Sequence, residues 1–214
     1  GDSLADLGTG TGTLARGFAS RGCKALGMDI SEAMLEQARE LSRQDGLKVE
    51  FRAAPAEETG LPDSIFDVVS AGQCWHWFDR PRAAAEVMRI LKPNGRVLIP
   101  HFDWIPLTGN VADMTEKLIQ KYNPKWYESF GNKTGVHPDW LRDLSEAGFA
   151  HIKTFSFDVD VPYTAEAWRK RIGASSGVGA SLSDAEVGRF DSELKSLLEA
   201  HEQVWAQSEA GSHP

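Results

Sequence analysis

LADLGTGTG, Leu4 to Gly12, sets three apolar residues around one acid, Asp6, and then places glycine at every second position. Leu4, Ala5 and Leu7 predict a short buried strand. Gly8, Gly10 and Gly12 predict a turn whose backbone meets something at close range, because a side chain would intrude there. In the residues that follow, TLARGFASR (13–21), Leu14 and Phe18 lie four apart on one helical face, and Gly22 ends the helix. Strand, glycine turn and helix open a nucleotide-type α/β unit, whose ligand lies over the turn and the helix N-terminus.

The alternation continues outward from this unit. KALGMDI (24–30) is a short apolar strand closing on Asp29, and Ser31 is a good N-cap for a helix in which Met34, Ala38 and Leu41 share a face. KVEFRAA (48–54) alternates apolar and charged residues like a strand, residues 55–63 form a loop, and IFDVVSAG (65–72) is a β-branched strand. Asp79 and Pro81 start a helix carrying Ala84, Val87, Met88 and Leu91, KPNG (92–95) signals a turn, and RVLIPHF (96–102) is a fifth strand. Strands alternating with helices predict an α/β fold with a doubly wound, mostly parallel sheet covered on both faces.

The second half is less regular. It predicts helices over 111–122 and 139–149, an antiparallel edge strand over HIKTFSFDVDVPY (151–163), and two more helices, AEAWRKRI and DAEVGRFDSELKSLLEAH, around a Gly/Ser-rich link at 174–183. VWAQS (204–208) is the one candidate for a final strand. Trp126, Tyr127, Tyr163, Trp168 and Arg171 suit an aromatic, partly basic lid or a subdomain core equally. With no internal repeat, the expectation is one domain over 1–214: a cofactor-binding half at 1–102, and a substrate-side half at 103–214 with a small helical, aromatic cap after the fifth strand. A chain opening directly in its first core strand also predicts a missing N-terminal segment.

Composition narrows the class. Of 214 residues, 41% are hydrophobic and 25% charged, as in an ordinary globular domain. A net charge of −8 without a long basic run argues against nucleic acid as a partner. No run approaches the roughly 18–20 apolar residues that cross a bilayer, so no membrane partner is expected. Cys23 and Cys74 lack metal spacing and suit a reducing cytoplasm. No H-x-x-x-H, paired-carboxylate or Cys/His cluster occurs, and no metal is expected.

The glycine spacing speaks to the ligand. A dinucleotide fingerprint runs G-x-G-x-x-G, but here Thr13 stands where its third glycine belongs. Asp29, 21 residues after Gly8, sits where a carboxylate takes both ribose hydroxyls. That acid serves dinucleotides and other adenosine ligands alike. Asp6 discriminates, because a carboxylate beside the turn repels a diphosphate and favours a ligand ending in an ammonium group.

DLGTGTG, GMDIS, FDVVSAG and LKPNGRVLI together resemble the class I S-adenosylmethionine-dependent methyltransferases, of the methyltransferase type 11 kind, from residue 4 to about 102. QCWHWFD (73–79) is similar to a segment of small-molecule methyltransferases related to trans-aconitate methyltransferases. The resemblance implies a Rossmann-like sheet, S-adenosyl-L-methionine as cofactor with S-adenosyl-L-homocysteine as product, and a small-molecule substrate. It assigns Asp6 to the methionine ammonium, directly or through water, and Gly8, Gly10 and Gly12 to the methionine and ribose portion. Asp29 would take the ribose hydroxyls and Ile30 an adenine face. Ala56 and Glu57 would read the adenine edge, although Pro55 stands where many relatives have an Asp. Gln73 would line the methyl region, with Trp75 and His76 facing the methyl group or substrate, whereas Trp77 and Phe78 are expected to fill core.

Direct in-line transfer asks the protein mainly to align nucleophile, methyl and sulfur and to exclude water. A phenol, hydroxyl or amine acceptor would use His76 or His101 as general base. A carboxylate acceptor needs no base and would be held by a cation such as Arg171. Two other classes compete: a methyltransferase-like module that binds the cofactor without turnover, and a nicotinamide-dependent oxidoreductase, against which Thr13 and Asp6 speak.

Overall fold

The computed structural model describes residues 1–126 and 137–210, with side chains as far as His201. Tyr127 lies outside the described residues. The chain divides into two compact units, Gly1–Phe102 with His137–Thr154, and Asp103–Val136 with Phe155–Pro214. The segment from His137 to Thr154 thus belongs with the first unit, not with the residues that flank it in the chain.

The first unit is a five-stranded sheet in the order β3-β2-β1-β4-β5, every pairing parallel. Its strands are β1 (Ser3–Leu7), β2 (Lys24–Asp29), β3 (Glu50–Ala53), β4 (Phe66–Ser70) and β5 (Leu91–Leu98). Crossovers run through α1 (Thr13–Ala19), α2 (Glu32–Gln44) and α3 (Arg80–Ile90). Ser31 caps α2 by accepting the Met34 N–H, and Asp79 caps α3 by accepting the Arg82 N–H, as their positions before each apolar period predict. A further helix, α5 (Pro138–Glu146), joins this unit and packs Trp140 and Leu144 into the main core.

Both faces of the sheet are covered because successive strand residues point to opposite sides. Leu4 and Ala25 meet Ala15 and Phe18 of α1, whereas Ala5, Leu7, Leu26, Met28 and Val69 meet Ala84, Val87 and Ile90 of α3. KPNG departs from the expected turn. It lies inside β5, where pairing passes from Leu91 opposite Phe66 to Arg96 opposite Val68, with Asn94 at φ 66°. The turn residues act as a bulge because α3 ends directly at Leu91, which already pairs.

The second unit is helical: α4 (Val111–Tyr122), α6 (Ala165–Gly173) and α7 (Asp184–Ala210). Leu118, Ile119, Trp126, Trp168, Ile172, Phe190 and Leu194 are buried in one cluster. Trp126 and Trp168 are therefore subdomain core. Two expected strands are absent. Residues 151–163 carry the period-two pattern but pair with nothing among the described residues, leaving Phe155 and Phe157 exposed. Alternation assigns faces; a ladder needs a neighbour. VWAQS continues α7, since good helix formers run on from Leu198 without a breaker.

Candidate functional site

Strand order reverses between β1 and β4, and in open parallel sheets ligands lie beyond the carboxyl ends of the strands at such a point. The glycine turn stands there. Gly8 has φ 62°, and a Cβ on it would come within 2.7 Å of the Cys74 sulfur. Gly10 has φ 54° but faces open space, with no atom within 4 Å of where its Cβ would be. Gly12, also left-handed, is the N-cap of α1. Gly8 thus lets the loop close on its own core, and Gly10 leaves room above it.

Asp29 ends β2 and locks this loop. One carboxylate oxygen accepts the Gly10 N–H at 2.9 Å and the other accepts the Ser31 N–H at 2.9 Å. Ile30, next in the chain, is 79% exposed, an apolar side chain left in the open at the site rim. Asp6 is only 2% exposed; Thr9 and Ser70 each donate a hydroxyl to it at 2.6 Å. Burial raises its pKa, against the lowering effect of those hydrogen bonds. Both oxygens of Asp6 thus serve the loop and β4, and its influence on a ligand passes through that bracing.

The loop after β3 holds Ala56, which is buried, and Glu57, which accepts the Asp79 N–H at 2.7 Å. Glu57 ties this loop to the start of α3. Glu86 of α3 fastens the same loop by accepting the Thr59 N–H at 2.8 Å. Hydrogen bonds from Arg89 first, and also from Thr59, pull its pKa from 4.5 to about 2.

After β4 the site is made of side chains. Gln73 adopts φ 61°, donates its N–H to Pro100 O at 3.1 Å and its side-chain amide to Phe102 O at 2.7 Å. Cys74 donates to Leu7 O, and burial pushes its thiol up to about 12, so it is an inert packing group. Trp75 corrects the sequence reading. Its ring is fully buried in the main core, edge-on to Phe78, and leaves no surface open to a ligand. Trp77, expected to be core, is 64% exposed. The three-residue 3₁₀ turn Trp75–Trp77 decides this, because it turns neighbours to different sides whereas composition marks both as apolar.

His76 and His101 come together, their ring centroids 5.6 Å apart. His137 joins them: its ring lies 4.8 Å from that of His101 and stacks flat on Trp140 at 3.8 Å. His137 carries no recognisable site signal in the sequence. Its neighbours, His-Pro before an apolar period, signal only a helix start, and nothing local ties it to residue 101. Three imidazoles thus gather in the first unit, on segments following β4 and β5.

A doubly wound parallel sheet with a glycine loop at its switch point, braced by an acid at the tip of β2, defines a Rossmann-like cofactor-binding protein. Residues 5–99 match the family model described as "Methyltransferase domain". Over 169 residues the chain is 31% identical to the demethylmenaquinone methyltransferase of Clavibacter sepedonicus, covering 72% of this chain and 67% of that protein. It is 31% identical over 168 residues to the ubiquinone/menaquinone biosynthesis C-methyltransferase UbiE of Laribacter hongkongensis, covering 71% and 68%. The crystal structure of YcgJ from Bacillus subtilis shares the fold, with a TM-score of 0.60 at 24% identity over 86% of this chain and 80% of that one. The chain belongs to the class I S-adenosylmethionine-dependent methyltransferases and is a methyltransferase enzyme. The nicotinamide alternative is not favoured. No helix among the described residues is long and apolar enough to cross a membrane.

Proposed function

We propose that the protein binds S-adenosylmethionine over the carboxyl ends of β1 and β2 and transfers its methyl group in line to a small-molecule acceptor. One observation carries this reading: the open space over Gly10 beside the Asp29 carboxylate and the exposed Ile30, a cradle for a ribose and an adenine face. The residues present fit that ligand. Asp29 keeps acceptor capacity for ribose hydroxyls beyond the two N–H groups it already takes, Ile30 offers apolar surface to the base, and Gly8, Gly10 and Gly12 keep side chains out of the way. Asp6 supplies a fixed carboxyl beneath the loop, Ala56 and Glu57 shape the adenine side, and Gln73 lines the approach from β4. Trp75 supports this wall from within the core.

Bound there, the cofactor supplies an electrophilic sulfonium methyl. The chain's own work is to orient the acceptor, exclude water and accept a proton where the acceptor carries one. His76 and His101 are the candidate bases, with neutral imidazole as the working form. Relatives named for quinone biosynthesis support a small-molecule acceptor. Two free cysteines suit the reducing cytoplasm, where we place the enzyme.

Calorimetry with S-adenosylhomocysteine tests the assignment. Micromolar binding is expected, and no heat at high protein concentration would sink it. Asp29→Ala should weaken that affinity roughly tenfold to a hundredfold through loss of charge-assisted hydrogen bonds. An unchanged affinity means the ribose is held elsewhere. Protein that binds yet methylates nothing in a broad acceptor screen is instead a cofactor-binding module.

A further inference from the structure

The second unit contains three consecutive cations on α6, and they are treated differently. Arg169 forms a two-pronged ion pair with Asp191, and Lys170 pairs with Glu166. Arg171 is exposed, and among the described residues no carboxylate pairs with it. Its guanidinium carbon lies 5.3 Å from the ring centroid of Trp104 and 5.9 Å from that of Tyr163.

Those two rings are themselves held. Trp104 donates its indole N–H at 2.8 Å to Glu116, a buried carboxylate whose other oxygen accepts the Trp126 indole at 2.8 Å. Trp104 and Tyr163 both meet Trp168 edge-on, at 5.6 and 5.4 Å, and Trp168 donates to the buried Thr115 hydroxyl at 3.0 Å. The guanidinium therefore rests on a shelf whose parts are fixed from the core. Cation–π contact restrains it without using its N–H donors.

We propose that Arg171, with Trp104 and Tyr163, forms a binding site for a monocarboxylate on an apolar or aromatic body. A planar guanidinium takes a carboxylate through two parallel hydrogen bonds, and restraint on the rings lowers the entropy lost on binding. One uncompensated positive charge matches one carboxylate; the neighbouring cations are already neutralised, so a phosphate dianion is less well matched. The Tyr163 ring, 40% exposed, supplies apolar surface beside the fork. The site is independent of cofactor binding and stands or falls separately from methyl transfer.

Benzoate is the probe, with benzamide as its uncharged counterpart and inorganic phosphate as the competing anion. The indole N–H resonance of Trp104, identified by its loss in Trp104→Phe, reports binding in a proton–nitrogen spectrum. A saturable shift with benzoate is expected, with benzamide and phosphate giving none. Arg171→Met keeps the alkyl stem and should weaken benzoate binding at least about tenfold, while Arg171→Lys should fall between. An unshifted Trp168 resonance and an unchanged melting temperature would certify that Arg171→Met is folded. Absence of a saturable shift, equal shifts with benzoate and benzamide, or an equal benzoate affinity in folded Arg171→Met would each overturn the proposal. A misfolded Arg171→Met passes the decision to Arg171→Lys, whose benzoate affinity must then fall.

Discussion

The carboxyl ends of β1 and β4 belong to neighbouring strands of one sheet, yet they are built from different materials. At β1 the working parts are backbone: left-handed glycines, N–H groups and one carboxylate that holds them. At β4 they are side chains: a buried indole, an exposed indole and imidazoles contributed by three separate segments. The difference matches two tasks. A ligand of constant shape is served by a rigid backbone cradle, whereas a reacting group needs chemistry that only side chains carry. Substitutions at the two ends should therefore fail in different ways.

The largest effect is expected where the β4 end is anchored. Trp75→Ala leaves a cavity in the main core and should cost about 3–5 kcal/mol in urea unfolding; a loss near zero would mean the indole does not hold that wall. Gly8→Ala comes next. Its φ is left-handed and its Cβ meets the Cys74 sulfur, so about 1–3 kcal/mol of strain is expected together with weaker S-adenosylhomocysteine binding in calorimetry. Retained affinity and stability would show that the loop has slack.

Glu86, which fastens the loop after β3 outside both ends, makes stability depend on pH. Its folded pKa, about 2, lies below the 4.5 of the unfolded chain, so its contribution is fully present above about pH 4.5 and is lost as pH falls toward 2. Glu86→Gln should start about 1–2 kcal/mol less stable at pH 7 and lose less across that window. Parallel acid limbs for the two proteins in urea melts would contradict this. Trp77→Ala is the smallest change, within about 0.5 kcal/mol, because the ring is exposed. A cost as large as that of Trp75→Ala would reverse the assignment of the two indoles.

The first hundred residues were legible because their signals are local. Apolar runs, Ser31 and Asp79 at helix starts, and glycines in a turn all act within a few positions, and the structure realises them with small shifts of boundary. KPNG is the exception: its composition signals a turn, but it lies as an irregularity inside β5. Beyond residue 102 the same signals misled twice. HIKTFSFDVDVPY has the alternation of a strand without a ladder, and VWAQS has the composition of a strand within an unbroken helix.

By itself the sequence determined the order of elements within the first hundred residues, the parallel sheet and the position of the glycine loop beside Asp29, since these rest on backbone conformation and short-range periodicity. Tertiary structure alone decided that Trp75 is core and Trp77 is surface. It also brought His137 to His101, and it set Arg171 over two aromatic rings with no carboxylate partner among the described residues, while its neighbours found carboxylates. Each of those outcomes depends on which distant residue arrives at a given point in space. A turn can be read from its own residues, but a neighbour from another segment cannot.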